Sequence, residues 1–148
     1  MSYEGEIEGG EIEEEQPDVV FLSVDDIIDI HENTITRHSP GESLYIRDQG
    51  LLESATFSPQ HTFEGDYLYG SVVEMAAVLM QSLAGNHPFE NGNKRVAFGA
   101  CSVFLRINGF RLTLTQKEAV DLTVRVVNHQ ISRDEVIEIL RNSIDGVA

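Results

Sequence analysis

The sequence has few of the residues that mark exported, membrane-bound or metal-cluster proteins. Its one cysteine, Cys101, excludes an internal disulfide and any zinc site built from several cysteines. No apolar run approaches the roughly 18 residues that a membrane-spanning helix needs. The N-terminus opens on glutamates rather than on the basic and apolar pattern of a signal peptide. We therefore expect a cytoplasmic protein.

Positive charge is also scarce. Ten Lys and Arg stand against 25 Asp and Glu, which gives a formal net charge of -15 at pH 7. Nucleic acids and anionic membranes are bound through clusters of Lys and Arg, so this balance argues against both as partners. The only lysines are Lys94 and Lys117. Such a composition is typical either of a protein adapted to a salt-rich cytosol or of an ordinary acidic protein with an acidic tail.

The length of 148 residues, 41% of them hydrophobic, suits a single domain with one core. Residues 1–18 stand apart, because they contain seven Glu and one Asp and no positive charge. Such a segment repels itself and cannot form a core. We expect a disordered acidic tail over 1–18 and one folded domain over 19–148. In the alternative interpretation the tail folds onto a basic site, with Ile7 and Ile12 as its anchors.

The domain is predicted to be all-α. A Ser or Thr followed three positions later by an acid has the spacing of a capping box at a helix start. Three such residues are Ser23, Thr115 and Ser132. Further helices are expected over 48–55, after Ser71 with Gly85 as the stop signal, and over about 93–108. The helix after Ser71 is apolar nearly all round, and apolar residues cover most of the circumference of the helix over about 93–108. This predicts two central buried helices wrapped by amphipathic ones. A short extended segment is expected at 112–114.

The loop that joins these two central helices carries the chemistry. Residues 87–95 read His-Pro-Phe-Glu-Asn-Gly-Asn-Lys-Arg. Gly92 lets the backbone bend closely around a ligand. The first N–H groups of the following helix, together with Lys94 and Arg95, form a site suited to phosphates. His87 could accept a proton from a hydroxyl near neutral pH, and Phe89 is expected to enter the core and hold the loop. From spacing alone, an ordinary solvated helix cap remains the alternative.

These residues resemble the active-site motif of the Fic/Doc family, H-x-F-x-[D/E]-[G/A]-N-[G/K]-R. The matching positions are His87, Phe89, Gly92, Asn93, Lys94 and Arg95. Residues 47–55, Arg-Asp-Gln-Gly-Leu-Leu-Glu-Ser-Ala, are similar to a segment of the family's death-on-curing branch. Residues 104–109 resemble the end of that branch's motif helix. The resemblance covers roughly 21–142, and it implies the family's all-α fold around the motif helix.

The resemblance also implies roles for individual residues. His87 would be the general base that deprotonates a Ser, Thr or Tyr hydroxyl of a target protein. The phosphates of ATP, or of another nucleotide, would be held by Gly92, Asn93, Lys94 and Arg95, with Phe89 as a structural residue of the motif. A flap that pairs with the backbone of the target would include His61, Thr62, Phe63, Glu64, Tyr67 and Tyr69.

Two departures from the AMP-transferring members favour the death-on-curing branch. Lys94 replaces their typical Gly, and Phe98 replaces their second Arg. That branch resembles a kinase that acts on a translation elongation factor. The expected function is therefore a protein phosphotransferase, the toxin of a toxin–antitoxin pair. An AMP transferase that uses the same motif is the alternative.

A third departure concerns the metal. Asn91 stands where the family has an acid that binds Mg²⁺, and a neutral amide is a weaker ligand for this cation. A nucleotide- or peptide-binding module without turnover is therefore a further alternative. The family's inhibitory pattern, [S/T]-x-x-x-E-[G/N], is missing, since no Glu followed by Gly or Asn has Ser or Thr four positions before it. The resemblance thus implies an antitoxin that acts in trans.

Overall fold

The computed structural model describes residues 18–146. Its six helices are α1 Val24–His38, α2 Gln49–Phe57, α3 Val72–Asn86, α4 Asn93–Ile107, α5 Gln116–Val127 and α6 Arg133–Arg141. Two antiparallel strand pairs and a 3-10 helix complete the described part: β1 Thr62–Phe63 with β2 Asp66–Tyr67, β3 Phe110–Leu112 with β4 Ile144–Gly146, and Ser58–Gln60. The all-α class predicted from the sequence is confirmed. Apart from Asp18, the predicted acidic tail lies outside the described residues.

The helix starts follow from local caps. Directly before α1, the Ser23 hydroxyl accepts from the Asp26 N–H at 3.1 Å, and the Asp26 carboxylate accepts from the Ser23 N–H at 2.8 Å. The same reciprocal pair occurs at Thr115 before α5 and at Ser132 before α6. All three predicted capping boxes are confirmed. Each one satisfies N–H groups that a helix start leaves without a partner.

The helix α3 is the centre of the fold. Nine of its residues are buried, and it packs against α2, α4, α5 and α6. The core continues through the inner side of α4 and the buried faces of the outer helices. In the described part of the chain, no helix is long and apolar enough to cross a membrane.

The second predicted central helix, α4, is less buried than its sequence suggests. Val103 is 36% exposed and Ile107 is 42% exposed, so the prediction that these apolar residues belong to the buried circumference of α4 is wrong at these two positions. The reason lies in its neighbours. The helices α1, α3 and α5 pack around α4, and part of its circumference faces solvent or the cavity described below.

The end of α3 also differs from the prediction. The helix continues past Gly85 to Asn86, and the residue with the left-handed backbone is His87, at φ 48° and ψ 57°. No glycine is needed here, because the Arg47 guanidinium donates to the carbonyls of Asn86 and His87 at 2.9 and 2.7 Å. The extended segment predicted at 112–114 lies instead at Phe110–Leu112, where it pairs with β4.

Candidate functional site

A cavity of about 880 Å³ opens between α1, α4 and α5. One wall is the N-terminus of α4 with the loop before it, from Asn91 to Arg95. The opposite sides are the end of α1 with the residues that follow it, and the apolar face of α5, where Val120 is 56% exposed. The cavity therefore combines a polar, cationic end with an apolar side.

The structure brings the predicted phosphate-binding residues together at the cavity and places the predicted base and the predicted structural residue, His87 and Phe89, away from it. Gly92, Asn93, Lys94 and Arg95 all line the cavity. His87 does not line it but is exposed just beyond the end of α3. Phe89 is 1% exposed and belongs to the core. The loop thus enters the core between His87, the predicted base, and Gly92, the first of the predicted phosphate-binding residues.

The loop is paired with an upstream segment. Ile46 and Phe89 form an antiparallel bridge, in which the Glu90 N–H donates to the Tyr45 carbonyl at 3.0 Å and the Arg47 N–H to the Pro88 carbonyl at 2.7 Å. Asp48, directly after this bridge, caps α2 by accepting from the Leu51 N–H at 2.9 Å. The upstream segment that shares the family resemblance is therefore the support on which the loop lies.

Gly92 occupies a position that favours glycine. It precedes α4 with a left-handed backbone at φ 81°. A Cβ atom here would lie 3.0 Å from Ile35 Cδ1 and 3.4 Å from His31 Nε2. Both the backbone angle and the close approach of α1 therefore disfavour any side chain. Because Gly92 lets the loop lie directly on α1, the start of α4 is open towards the cavity.

The side chains that follow Gly92 point in different directions. The Asn93 side chain turns back to the loop, where it accepts from the Phe89 N–H at 3.0 Å and donates to the Phe89 carbonyl at 2.8 Å. Lys94 and Arg95 are exposed, and one Arg95 nitrogen donates to the Ser39 hydroxyl at 3.0 Å. The Asn93 amide thus holds the loop, and the two cations are the side chains that an anion can reach.

A buried histidine that the sequence interpretation did not assign to the site lies beneath the loop. His31 is 1% exposed, its ring stacks on Phe89 with centroids 3.7 Å apart and planes 6° apart, and its Nε2 lies 2.7 Å from the Asn91 carbonyl oxygen. Burial lowers the pKa of His31, against a smaller opposing effect of this hydrogen bond. A signal was present in the sequence, because Ile27, His31 and Ile35 are spaced four apart and only the histidine interrupts the apolar row.

Oxygen ligands for a cation are few. Within residues 18–146, no group of three or more His, Cys, Asp or Glu could hold a metal ion. Of the described residues that line the cavity, Glu42 is the one with a carboxylate, and Asn91, Asn93 and Gln116 carry amides. Mg²⁺ accepts one or two protein oxygens when phosphates and water complete its shell. The donor set therefore fits Mg²⁺ only together with a bound polyphosphate.

The predicted flap is a tight hairpin. Thr62 pairs with Tyr67 and Phe63 with Asp66, and the turn residues Glu64 and Gly65 both have positive φ, as a two-residue hairpin turn requires. Phe63 is 66% exposed. The His61 carbonyl accepts from the Leu68 N–H at 2.8 Å, and this hydrogen bond closes the base of the hairpin.

The two tyrosines of the predicted flap face the body of the protein. The Tyr67 ring meets Phe21 edge to face at 5.6 Å, and the Arg133 guanidinium lies 5.6 Å from the centre of the Tyr69 ring. The two tyrosines anchor the hairpin to the body of the protein, and the segment from His61 to Glu64 forms its outward side. None of the hairpin residues lines the cavity.

Comparison with known proteins places the fold and the motif in one family. The sequence model of the Fic/DOC family matches residues 21–105. The chain is 38% identical over 108 residues to "Toxin Doc" of Mycolicibacterium smegmatis, which covers 73% of this chain and 82% of that protein. It is 30% identical over 122 residues to "Protein kinase doc" of Escherichia phage P1, which covers 81% and 92%. The chain therefore belongs to the Fic/DOC family.

Proposed function

We propose that this protein is the toxin of a toxin–antitoxin pair and transfers the γ-phosphoryl group of ATP to a hydroxyl side chain of a target protein in the cytoplasm. The observation that carries the proposal is the cavity wall at the start of α4, where Gly92, Lys94 and Arg95 meet. Backbone N–H groups at a helix N-terminus, with the positive end of the dipole behind them, bind phosphates. The names of the two relatives, a toxin and a protein kinase, support the same function.

The shape of the cavity suits a nucleotide. Its cationic end would hold the triphosphate, with Arg95 as a two-pronged donor and Lys94 as a point charge. Its apolar side, formed by Phe98 and the exposed face of α5, would cover a base. Phe98 stands where AMP-transferring members have a second Arg, and Lys94 stands where they have Gly. Both residues therefore favour phosphoryl transfer over AMP transfer.

The proposed transfer is an in-line displacement. The target hydroxyl oxygen attacks the γ-phosphorus, the bond between this phosphorus and the bridging oxygen to the β-phosphorus breaks, and ADP leaves. His87 accepts the hydroxyl proton. A histidine suits this step because its ordinary pKa lies close to neutral pH. Mg²⁺, when bound with the nucleotide, would neutralise phosphate charge, and Asn91 and Glu42 are the residues that could hold it.

Two protein partners follow from the proposal. The target is a protein with an accessible Ser, Thr or Tyr, and a translation elongation factor is the first candidate. The hairpin would present the exposed edge near Phe63 to the backbone of the target, as sheet edges do when they bind extended peptides. The second partner is an antitoxin acting in trans, because the family's inhibitory pattern is missing from the sequence.

Intact-mass spectrometry of a purified elongation factor, incubated with this protein, ATP and Mg²⁺, tests the proposal. A phosphoryl group adds about 80 Da and an AMP group about 329 Da. Two ATP analogues are matched controls. A methylene bridge between the β- and γ-phosphates blocks phosphoryl transfer but permits AMP transfer, and a bridge between the α- and β-phosphates does the reverse.

The expected product is the phosphorylated target, formed with ATP and with the α,β-methylene analogue. An AMP adduct formed with the β,γ-methylene analogue would instead identify an AMP transferase. No adduct, in a preparation that binds ATP in calorimetry, would identify a binding module. The substitution of Asn91 for the family's acid is the observation that favours this last alternative.

A further inference from the structure

His31 is unlike the other buried polar side chains of the described chain. Four such residues lie in the core, and in three of them the hydroxyl bonds to a carbonyl three or four residues earlier: Thr56 to Leu52, Ser58 to Ala55 and Thr123 to Ala119. His31 alone reaches a segment distant in sequence, the loop before α4, 60 positions away. Since burying a polar ring is unfavourable unless it is satisfied, a plain core position would be filled better by an apolar residue.

The stacking contact and the hydrogen bond of the His31 ring both fall on the loop of residues 87–95. Its face covers the Phe89 ring, and its edge meets the Asn91 carbonyl at 2.7 Å. Glu90, between these residues, is held from the other side by the Tyr45 carbonyl. Three successive residues of the loop are thus each held by a separate contact, and the last contact lies directly before Gly92.

The hydrogen bond defines the chemical state of the ring. A carbonyl oxygen only accepts, so Nε2 must carry the hydrogen and donate it. The Asn91–Gly92 peptide is trans, which means that its C=O and N–H point in opposite directions. With the carbonyl directed at His31, the Gly92 N–H is directed away from His31, and Gly92 itself lines the cavity.

We propose that His31 is a positioning residue of the phosphate site: by donating from Nε2 to the Asn91 carbonyl, it sets the orientation of the peptide that presents the Gly92 N–H to a bound phosphate. The inference rests on the proposed function, because it concerns the same phosphate site. Without the donor, the Asn91 carbonyl would be buried with no partner, and the peptide could rotate to bring its oxygen, rather than its N–H, towards the anion.

Three variants separate positioning from simple core packing. His31→Phe keeps a flat ring over Phe89 but removes the donor. His31→Gln removes the ring but places an amide N–H near the position of Nε2. Thr56→Val is the matched control, because it removes a buried side-chain donor from α2, away from the loop. Inorganic tripolyphosphate is the probe, since it tests the phosphate site without a base, and calorimetry measures its affinity.

We expect His31→Phe to weaken tripolyphosphate binding by roughly tenfold, as the loss of a partner for a buried carbonyl implies. His31→Gln should lie between His31→Phe and the parent, and Thr56→Val should match the parent. In the NMR spectrum of the parent, the Gly92 amide should shift on addition of tripolyphosphate. In His31→Phe that shift should shrink, while the circular dichroism stays helical.

Parent-like affinity in a folded His31→Phe would overturn the inference. So would an imidazole nitrogen spectrum of the parent that places the proton on Nδ1 instead of Nε2, and this second measurement decides the matter even if His31→Phe does not fold. A parent chain that fails to bind tripolyphosphate at all would overturn the phosphate site of the proposed function, and the inference with it. The two failures are therefore distinguishable.

Discussion

The Arg47 guanidinium holds the backbone of His87. Its Nε donates to the His87 carbonyl at 2.7 Å, and its Nη2 donates to the Asn86 carbonyl at 2.9 Å. His87 has a left-handed backbone, which is unfavourable for a residue other than glycine. The cation thus satisfies the last carbonyls of α3 and, at the same time, fixes the residue proposed as the general base.

Replacing Arg47 should lower both stability and turnover. For Arg47→Ala we expect a loss of about 1 kcal/mol in the free energy of unfolding, because two carbonyls at a helix end lose a charged donor. Arg47→Lys should recover part of it, since an ammonium cannot form the same fork. Urea unfolding and target phosphorylation are the measurements. Arg106→Ala removes the same charge near the far end of α4 and serves as the control; equal effects of both alanine variants would contradict this role.

His87→Asn tests the general base more cleanly than an alanine variant does. Asparagine tolerates the left-handed backbone but cannot accept a proton near neutral pH. We expect the rate of transfer to fall by about 10²–10⁴-fold, with the melting temperature and the ATP affinity close to those of the parent. Transfer at the parent rate in this variant would show that His87 is not the base.

Arg95→Ala should weaken ATP binding by about tenfold or more, because a charge-assisted pair of donors to the phosphates is lost. Arg95→Lys should restore only part of the affinity. The neighbour Ser39, which accepts from Arg95 at 3.0 Å, provides the control. Ser39→Ala should change the affinity by no more than about threefold. Calorimetry with ATP measures all three variants, and unchanged affinity in Arg95→Ala would remove this residue from the site.

Asn91→Asp should lower the Mg²⁺ concentration for half-maximal rate, because a carboxylate is a better ligand for a hard cation than an amide. The substitution leaves the hydrogen bond from His31 Nε2 to the main-chain carbonyl of residue 91 in place, so the loop should keep its geometry. The Michaelis constant for ATP should rise, since the new carboxylate can pair with Lys94 or Arg95.

Glu42→Gln is the companion variant for the metal, because Glu42 is the carboxylate among the described residues of the cavity. A raised Mg²⁺ requirement in Glu42→Gln, with no change in Asn91→Asp, would assign the metal to Glu42. If Asn91→Asp shows the Mg²⁺ half-saturation of the parent, position 91 is not a metal ligand.

The Cys101 thiol should be inert in the native protein. It is fully buried in α4, and burial raises its pKa to about 12. Ellman's reagent near neutral pH should therefore react only after unfolding. Stability should fall as the pH rises from 9.0 towards 12, because the unfolded thiol loses its proton in this window and the native one keeps it. Urea unfolding should show a weaker fall in Cys101→Ala, and identical pH dependence would contradict the burial effect.

Local chemistry explains why the sequence predicts most helices correctly. A capping box such as Ser23 with Asp26 needs only residues three positions apart, so it can be recognised without the rest of the fold. The loop of residues 87–95 is equally local, because its polar side chains follow one another directly in the sequence. The all-α class, and the position of the polar loop between α3 and α4, were therefore predictable.

Where the predictions were incomplete, a distant element was responsible. Arg47 makes a glycine unnecessary at the end of α3, although 40 positions separate it from His87. His31 joins the loop across 60 positions. Nor does an apolar pattern along α4 reveal that Val103 stays at the surface, since exposure depends on which helices pack around it.

The helix starts, the loop that carries the polar residues and the family that the motif resembles can all be read from the sequence, because each of these depends on neighbouring residues. The packing of the helices is what brings Asn91 to Arg95 to a cavity between α1, α4 and α5, with His87 outside its wall. The same packing brings His31 and Arg47 into hydrogen-bond contact with this loop. These relationships arise only when helices distant in sequence pack together, since the hydrogen bonds that create them join separate elements.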